Sequence, residues 1–266
     1  MGGKIKERLD VLLVKKGFFE SREKARRFIM AGKVMVNGSV VDKPGTRVDV
    51  ESDIRLKEPP KYVSRGGYKI ESAWKVLRFD VSGKVACDIG ASTGGFTDFL
   101  LQRGAKKVYA VDVGRGQLHW KLRNDPKVVV LEKVNARYLE PEILGEKVDF
   151  VTCDVSFISL KKISHSIRKI LKDDGEALVL IKPQFEAGRE KVVGGIVKDG
   201  KVHVEVLRSV LEHFKKEGFK IKGVVHSGIK GAEGNIEYFA LLSFKGEDVE
   251  VDLEKVVEKA FEDLEG

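Results

Sequence analysis

Four charged residues, Lys69, Asp154, Lys182 and Glu237, stand where the elements around them could bring them to one cleft. Two lysines and two carboxylates suit a reaction in which an oxygen gains negative charge. An ammonium can stabilise that charge or, with its pKa depressed, can accept the proton itself, and a neighbouring carboxylate holds it in orientation. In a chain that is 34% charged, any one of these residues alone is most simply a surface residue. Their positions set them apart. Asp154 and Lys182 follow consecutive apolar runs, Phe150–Cys153 and Ala177–Ile181, which read as adjacent buried strands. Lys69 opens a helical stretch ahead of the first strand. Glu237 begins the last strand, after the loop Gly231-Ala232-Glu233-Gly234-Asn235.

A second constellation is the run Asp88-Ile89-Gly90-Ala91-Ser92-Thr93-Gly94-Gly95-Phe96, after the buried strand Val85–Asp88. Glycines let a backbone turn tightly and approach a ligand, and a helix N-terminus follows. A nicotinamide or flavin fingerprint wants glycine where Ser92 stands, and no Lys-Ser/Thr pair follows as in a triphosphate loop. Asp112 ends the next strand, where a carboxylate can accept hydrogen bonds from both ribose hydroxyls of an adenosyl ligand. The combined pattern, Asp-X-Gly-X-X-X-Gly-Gly-Phe and then Asp-Val, resembles S-adenosylmethionine-dependent methyltransferases. That resemblance implies a cofactor site formed by Asp88, Gly90, Ser92, Gly94, Gly95, Phe96 and Asp112, with Asn135 and Ala136 beside the adenine.

The elements that must position these groups alternate along the chain. Strand-like runs at Val108–Val111, Val128–Leu131, Ile221–Val225 and Tyr238–Phe244 join those already named. Helical stretches fall near 69–78, 96–103, 160–171 and 203–217. Such alternation predicts an α/β fold, a Rossmann-like and mostly parallel sheet covered by helices on both faces, with ligands beyond the strands' carboxyl ends. Cys87 and Cys153 end adjacent strands and read as small core residues. Trp74 and Trp120 could stack on bases, but both lie in helical contexts, where packing is the expectation. Residues 184–200 make a long loop after Lys182, a candidate lid. Leu253–Leu264 reads as an acidic amphipathic helix with no assigned role.

The first sixty residues differ in character. Residues 1–61 carry fifteen Lys/Arg against nine Asp/Glu, which is +6 of the chain's +8 and points to a polyanion partner. Ile5, Leu9, Leu12 and Leu13 recur at helical spacing; Ser21 can cap a second helix with Ala25, Phe28 and Ile29 on its apolar stripe. Val34, Val36, Asn37-Gly38 and Val40 read as a tight hairpin. The run from Ser21 to Gly38 resembles the RNA-binding domain named after small-subunit ribosomal protein four. The resemblance implies that Arg22, Lys24, Arg26, Arg27 and Lys33 face an RNA backbone and neutralise phosphates. The expected organisation is a small α+β domain over 1–57, a linker over 58–65 stiffened by Pro59-Pro60, and a catalytic domain over 66–266.

No apolar run approaches the roughly 18 residues of a membrane span, and the N-terminal stretch lacks a secretory pattern. Two cysteines fit a reducing compartment, and the five histidines show no metal-ligand spacing, so a cytoplasmic protein without a metal is expected.

Lys69, Asp154, Lys182 and Glu237 together resemble the tetrad of the FtsJ family of ribose methyltransferases. Closer still, Ser64-Arg65-Gly66-Gly67-Tyr68-Lys69, Cys153-Asp154-Val155-Ser156-Phe157-Ile158-Ser159, Ile181-Lys182-Pro183-Gln184-Phe185-Glu186 and Gly234-Asn235-Ile236-Glu237-Tyr238-Phe239 are similar to the TlyA family. That family carries the name haemolysin and also has the N-terminal RNA-binding domain. Ser92-Thr93 stands where FtsJ itself has Ala-Pro, and Pro59-Pro60-Lys61-Tyr62 departs from better-known TlyA linkers. The resemblance implies 2′-O-methylation of a cytidine ribose in ribosomal RNA or ribosomal subunits, with those four residues catalytic. Rival expectations are a non-catalytic ribosome-assembly factor, which has no reason to keep all four, and a membrane-active haemolysin, for which no spanning segment is present.

Overall fold

The computed structural model describes residues 5–19, 21–57, 61–231 and 233–265. Glu58, Pro59 and Pro60 of the expected linker and Ala232 of the loop before Glu237 lie outside the described residues. The chain divides into two compact units, Met1–Lys61 and Tyr62–Gly266. Of the stretch read as a linker, Tyr62 is buried in the second unit's core and Arg65 opens that unit's first helix.

The first unit contains β1 (Lys6–Arg8), α1 (Leu9–Lys15), α2 (Arg22–Met30), β2 (Val34–Val36), β3 (Ser39–Val40), β4 (Arg47–Asp49) and β5 (Ile54–Leu56). Ser21 caps α2, its hydroxyl accepting from the Lys24 amide at 3.3 Å. Asn37 and Gly38 both take positive φ, 50° and 82°, as a type I′ turn between β2 and β3 demands. Leu9, Leu13, Ala25, Ile29 and Val34 form the core, which leaves the other face of α2 to its basic residues.

The second unit runs α3 (Arg65–Leu77), β6 (Val85–Ile89), α4 (Gly95–Gln102), β7 (Lys107–Asp112), α5 (Trp120–Arg123), β8 (Val128–Glu132), α6 (Pro141–Leu144), β9 (Val148–Cys153), α7 (Ser164–Ile170), β10 (Leu171–Ile181), α8 (Pro183–Glu186), α9 (Gly200–Lys216), β11 (Lys220–His226), β12 (Tyr238–Ser243) and α10 (Leu253–Glu265). Among the described residues, seven strands form one sheet in the order β11-β12-β10-β9-β6-β7-β8. All neighbours are parallel except β12, which is antiparallel to both β10 and β11. The apolar cores on its two faces explain why the strands read as continuous hydrophobic runs. Cys87 and Cys153 are fully buried free thiols, and burial pushes both well up from the ordinary thiol range.

Two features of this topology place the site. The chain walks outward from β6 through β7 to β8, then returns to β9 on the other side of β6. The β6/β9 pair is therefore the point where strand order reverses, the usual ligand crevice of an open sheet. The reversed β12 begins beside the end of β10, Tyr238 opposite Ile181, so Glu237 enters at the same carboxyl edge as Lys182. The helical stretch expected over 160–171 is a short 3₁₀ turn at Leu160–Lys162 followed by α7, and β10 begins directly at Leu171.

Candidate active site

Lys69 reaches the crevice because α3 packs closely on α4. A Cβ added at Gly67 would lie 2.2 Å from the Tyr62 ring, and one at Gly95 would lie 2.4 Å from the Ser64 hydroxyl. Glycine at 67 and 95 is thus required by space, with no unusual dihedral involved. From α3 the Lys69 ammonium donates to Glu237 Oε2 at 2.6 Å, both side chains being buried. Gly231 leaves room for that carboxylate, since a Cβ there would meet Glu237 Oε1 at 2.5 Å.

The second ion pair joins the two sides of the strand-order reversal. Lys182 lies with its ammonium 2.5 Å from Asp154 Oδ1 and donates to the Ser156 hydroxyl at 3.1 Å. The Asp154 amide donates to the Ile89 carbonyl at 2.9 Å, which holds the end of β9 beside the glycine turn. A Cβ on Gly90, whose φ is +79°, would strike the Asp154 carbonyl at 2.1 Å. A cavity of 320 Å³, lined by Ser64, Arg65, Gly66, Lys69, Gly90, Ala91, Ser92, Thr93, Gly95, Phe96 and Asp154, opens here. Its size falls in the range of about 300–1,000 Å³ common to small-molecule sites. Each ion pair gives one member to the wall, Lys69 and Asp154, each tied to a buried partner, Glu237 and Lys182. A buried ion pair is weak evidence for stability, because desolvation costs about as much as the attraction returns. Two such pairs at a ligand crevice suit chemistry better.

The remaining cofactor candidates divide by role. Gly90, Ser92, Gly95 and Phe96 line the cavity. Asp88 does not: it is fully buried beneath the turn and accepts from the hydroxyls of Thr97 at 2.7 Å and Thr152 at 2.9 Å. Burial pushes its carboxyl up to about 6, against the lowering effect of those two bonds. Gly94, at φ +97°, allows Leu118 and Leu122 to close over the turn. Asp112 holds the rim, accepting from the amides of Ser92 at 2.8 Å and Gly114 at 2.7 Å, and keeps lone pairs for a further donor. The Val134 amide donates to the Asp112 carbonyl at 3.1 Å, which brings Asn135 and Ala136 to the same edge though not to the cavity wall. Asn135 caps its own turn, accepting from the Arg137 amide.

Three findings lie beyond the expectations from sequence. Phe157, two residues past Val155, is 89% exposed at φ +64° and rests its ring on Phe185, 5.0 Å away. An aromatic residue in the left-handed region is uncommon and marks a strained loop at the rim. The repeated Phe in the motifs around Asp154 and Lys182 was the available signal. The loop after Lys182 is tethered at several points. Asn235 accepts from the Val197 amide and donates to the Gly195 carbonyl, His203 meets the Val197 carbonyl, and Glu186 accepts from Ser159 and Leu160. Trp74 is packed, its indole donating to the Phe79 carbonyl, but Trp120 is not: it is 72% exposed. The expectation of packing fails at Trp120 because Leu118 and Leu122 occupy the inward positions of that turn.

In the first unit Arg22, Lys24, Arg26 and Arg27 project from the exposed face of α2, where a groove of 370 Å³ is lined by Arg22, Glu23, Arg26, Arg27 and Met30. Arg22 pairs with buried Asp10 at 2.8 Å, and the Lys33 ammonium sits 5.3 Å from the Phe28 ring centre. Among the described residues no cluster of potential metal ligands occurs, and no helix is long and apolar enough to cross a membrane.

Comparison with known proteins identifies both units of the chain. The FtsJ-like methyltransferase family model matches residues 62–244, and the S4 domain model matches residues 7–54. The chain is 42% identical to the 16S/23S rRNA (cytidine-2′-O)-methyltransferase TlyA of Mycobacterium tuberculosis, over 88% of this chain and 89% of that one. It is 45% identical to Hemolysin A of Brachyspira hyodysenteriae, over 88% of this chain and 98% of that one. A solved structure from Streptococcus thermophilus, named as a hemolysin, is 46% identical and superimposes with a TM-score of 0.75, covering 99% of this chain and 98% of its own. With an S4 domain ahead of an FtsJ-like methyltransferase domain, and relatives of this similarity along most of its length, the chain belongs to the TlyA family.

Proposed function

We propose that this protein transfers a methyl group from S-adenosylmethionine to the 2′-hydroxyl of a cytidine ribose in ribosomal RNA, in the cytoplasm. The observation that carries the reading is the pairing of Lys182 with Asp154 at 2.5 Å at the strand-order reversal, next to the glycine-walled cavity. What supports the donor is the cavity's lining: Gly90 and Gly95 keep the turn close-packed against its neighbours, Ser92 and Thr93 offer polar contacts, and Asp112 stands at the rim for the ribose hydroxyls. When bound, the donor supplies a methyl group on a positively charged sulfur.

The protein's own groups do the rest. A ribose hydroxyl is a poor nucleophile, so its oxygen must be held in line and its developing charge stabilised. Lys182, fixed by Asp154 and Ser156, presents a cation to that oxygen. Lys69, held by Glu237, offers a second cation from the cavity wall to hold the sugar. The two carboxylates keep both ammonium groups in position. The exposed ring of Phe157, resting on the half-buried ring of Phe185, provides an apolar face for the base of the target nucleotide.

The test follows labelled methyl groups into ribosomal RNA and maps the modified positions by resistance to alkaline cleavage. Lys182→Ala should bind donor and RNA nearly as wild type does, yet lose roughly two or more orders of magnitude in single-turnover rate. A substrate with a 2′-deoxy target should accept no methyl group. Transfer to the deoxy substrate would mean that a base atom is the acceptor, and the ribose reading would be withdrawn.

A further inference from the structure

Trp120 has no place in the chemistry described above, and nothing in the fold needs it. Its ring is 72% exposed on the four-residue turn α5, while Leu118 and Leu122 of the same segment pack inward against Ala91 and Ala110. Tryptophan is enriched at contact surfaces, where its ring is apolar and its N–H stays wet. Its setting is fixed. The His119 amide donates to the carbonyl of Thr93, a residue of the cavity wall, at 3.1 Å. The His119 ring accepts from the Lys121 amide at 3.2 Å and lies 5.8 Å from the indole, tilted by 31°. The Trp120 carbonyl accepts from the Asn124 side chain at 2.7 Å, which holds the turn closed.

The charge around this platform is mostly of one sign. Along the carboxyl edge of β7 and β8 stand Arg115, Lys121, Arg123, Lys133 and Arg137, all at the surface, with Asp112 and Glu132 as the acids among them. Glu132 is engaged by Arg123 and by the Gly116 amide, and Asp112 by the amides of Ser92 and Gly114. Among the described residues, Arg115, Lys121 and Lys133 form no ion pair. The edge carries a net excess of three positive charges, more than the +2 of residues 62–266 as a whole, so the remainder of that unit is slightly acidic. An exposed aromatic ring on a segment joined to the cavity wall through His119 and to this cationic edge through Arg123 and Glu132 fits single-stranded nucleic acid: cations follow the phosphates and the ring takes a base face.

We propose that Trp120, backed by His119 and flanked by Arg115, Lys121 and Lys133, is a stacking platform for an unpaired nucleotide of the substrate RNA beside the target, so that the catalytic unit holds its own segment of RNA. This rests on RNA being the substrate, and it adds where on the catalytic unit an untargeted nucleotide binds. Stacking against one base is consistent with sequence-tolerant binding, since every base has a π-face.

The experiment uses the full chain, its donor and a ribosomal RNA fragment that wild type binds. The protein has two tryptophans, so emission is recorded for wild type and Trp120→Phe. RNA should quench wild-type emission, and most of that quench should be missing in Trp120→Phe. Trp120→Ala should weaken RNA binding roughly ten-fold, the scale of one missing base–aromatic stack, with Trp120→Phe recovering most of it. Donor affinity and the single-turnover rate at saturating RNA should stay at wild-type values in both variants. The platform is ruled out if Trp120→Ala binds RNA as wild type does, if the quench persists in Trp120→Phe, or if donor alone produces it. Because binding and quenching are read without turnover, an absence of ribose methylation in wild type would count against the proposed reaction and leave this result standing.

Discussion

At the scale of single residues, the site depends on which carboxylates are free to act. Asp154 and Glu237 each hold a lysine, whereas Asp88, though part of the same glycine motif, is spent on Thr97 and Thr152 beneath the turn. Burial raises the Asp88 carboxyl to about 6, so the folded protein binds its proton more tightly than the unfolded chain does. The stability contributed by that proton is present below the unfolded value of 3.8 and is lost as pH rises through about 6. Asp88→Asn should remove this dependence. Urea unfolding of both proteins from pH 4 to 7 should show the variant gaining on wild type, by about 3 kcal/mol in total, with a plateau above the upper value. A constant offset across that range would contradict a buried, raised Asp88.

At the scale of elements, close approach of α3 to α4 is what carries Lys69 to Glu237. The paired glycines are not equivalent there. A Cβ at Gly67 meets the Tyr62 ring at 2.2 Å, whereas one at Gly66 has nothing nearer than the Phe96 ring at 3.4 Å. Gly67→Ala should therefore destabilise by about 1–3 kcal/mol through overpacking. Gly66→Ala should cost nothing or add up to about 1 kcal/mol through helix propensity. Thermal melts that moved both variants equally downward would show that Gly66 is packed as tightly as Gly67, against the open space described here. The tethered loop after Lys182 belongs to this scale as well. Asn235, two residues before Glu237, secures Val197 and Gly195, so the segments bearing the two ion pairs are linked by hydrogen bonds from its side chain to the loop backbone.

At the scale of the molecule, charge divides the labour between the two units. The first sixty-one residues hold +6 of the chain's +8, and the arginines of α2 stand outward because Ala25 and Ile29 turn into the core. Arg26→Ala combined with Arg27→Ala should weaken binding to ribosomal RNA. It should also lower the slope of log affinity against log salt by roughly 1 to 2, because two phosphates are no longer neutralised. The single-turnover rate at saturating RNA should remain near wild type, the opposite of the pattern for Lys182→Ala. An unchanged salt slope would remove α2 from the RNA-binding surface.

Much of this was legible in the linear sequence, because local physics writes it there. Continuous apolar runs marked the strands, the Asn37-Gly38 pair marked a turn that needs two positive φ angles, and the glycine run with its following helix marked a ligand turn. The four charged residues were identifiable from their places at strand and helix ends. What sequence alone left open was which charges meet: Lys69 with Glu237 and Lys182 with Asp154 are partners across 168 and 28 positions, and only the order of the strands and the reversal of β12 bring them together. The same holds for Asp88, whose withdrawal from the cavity depends on a threonine one strand away, and for Trp120, whose exposure depends on two leucines taking the inward positions of its turn. Periodicity and turn chemistry act over a few residues and survive in the linear order, whereas pairing, burial and exposure are properties of neighbours that folding supplies.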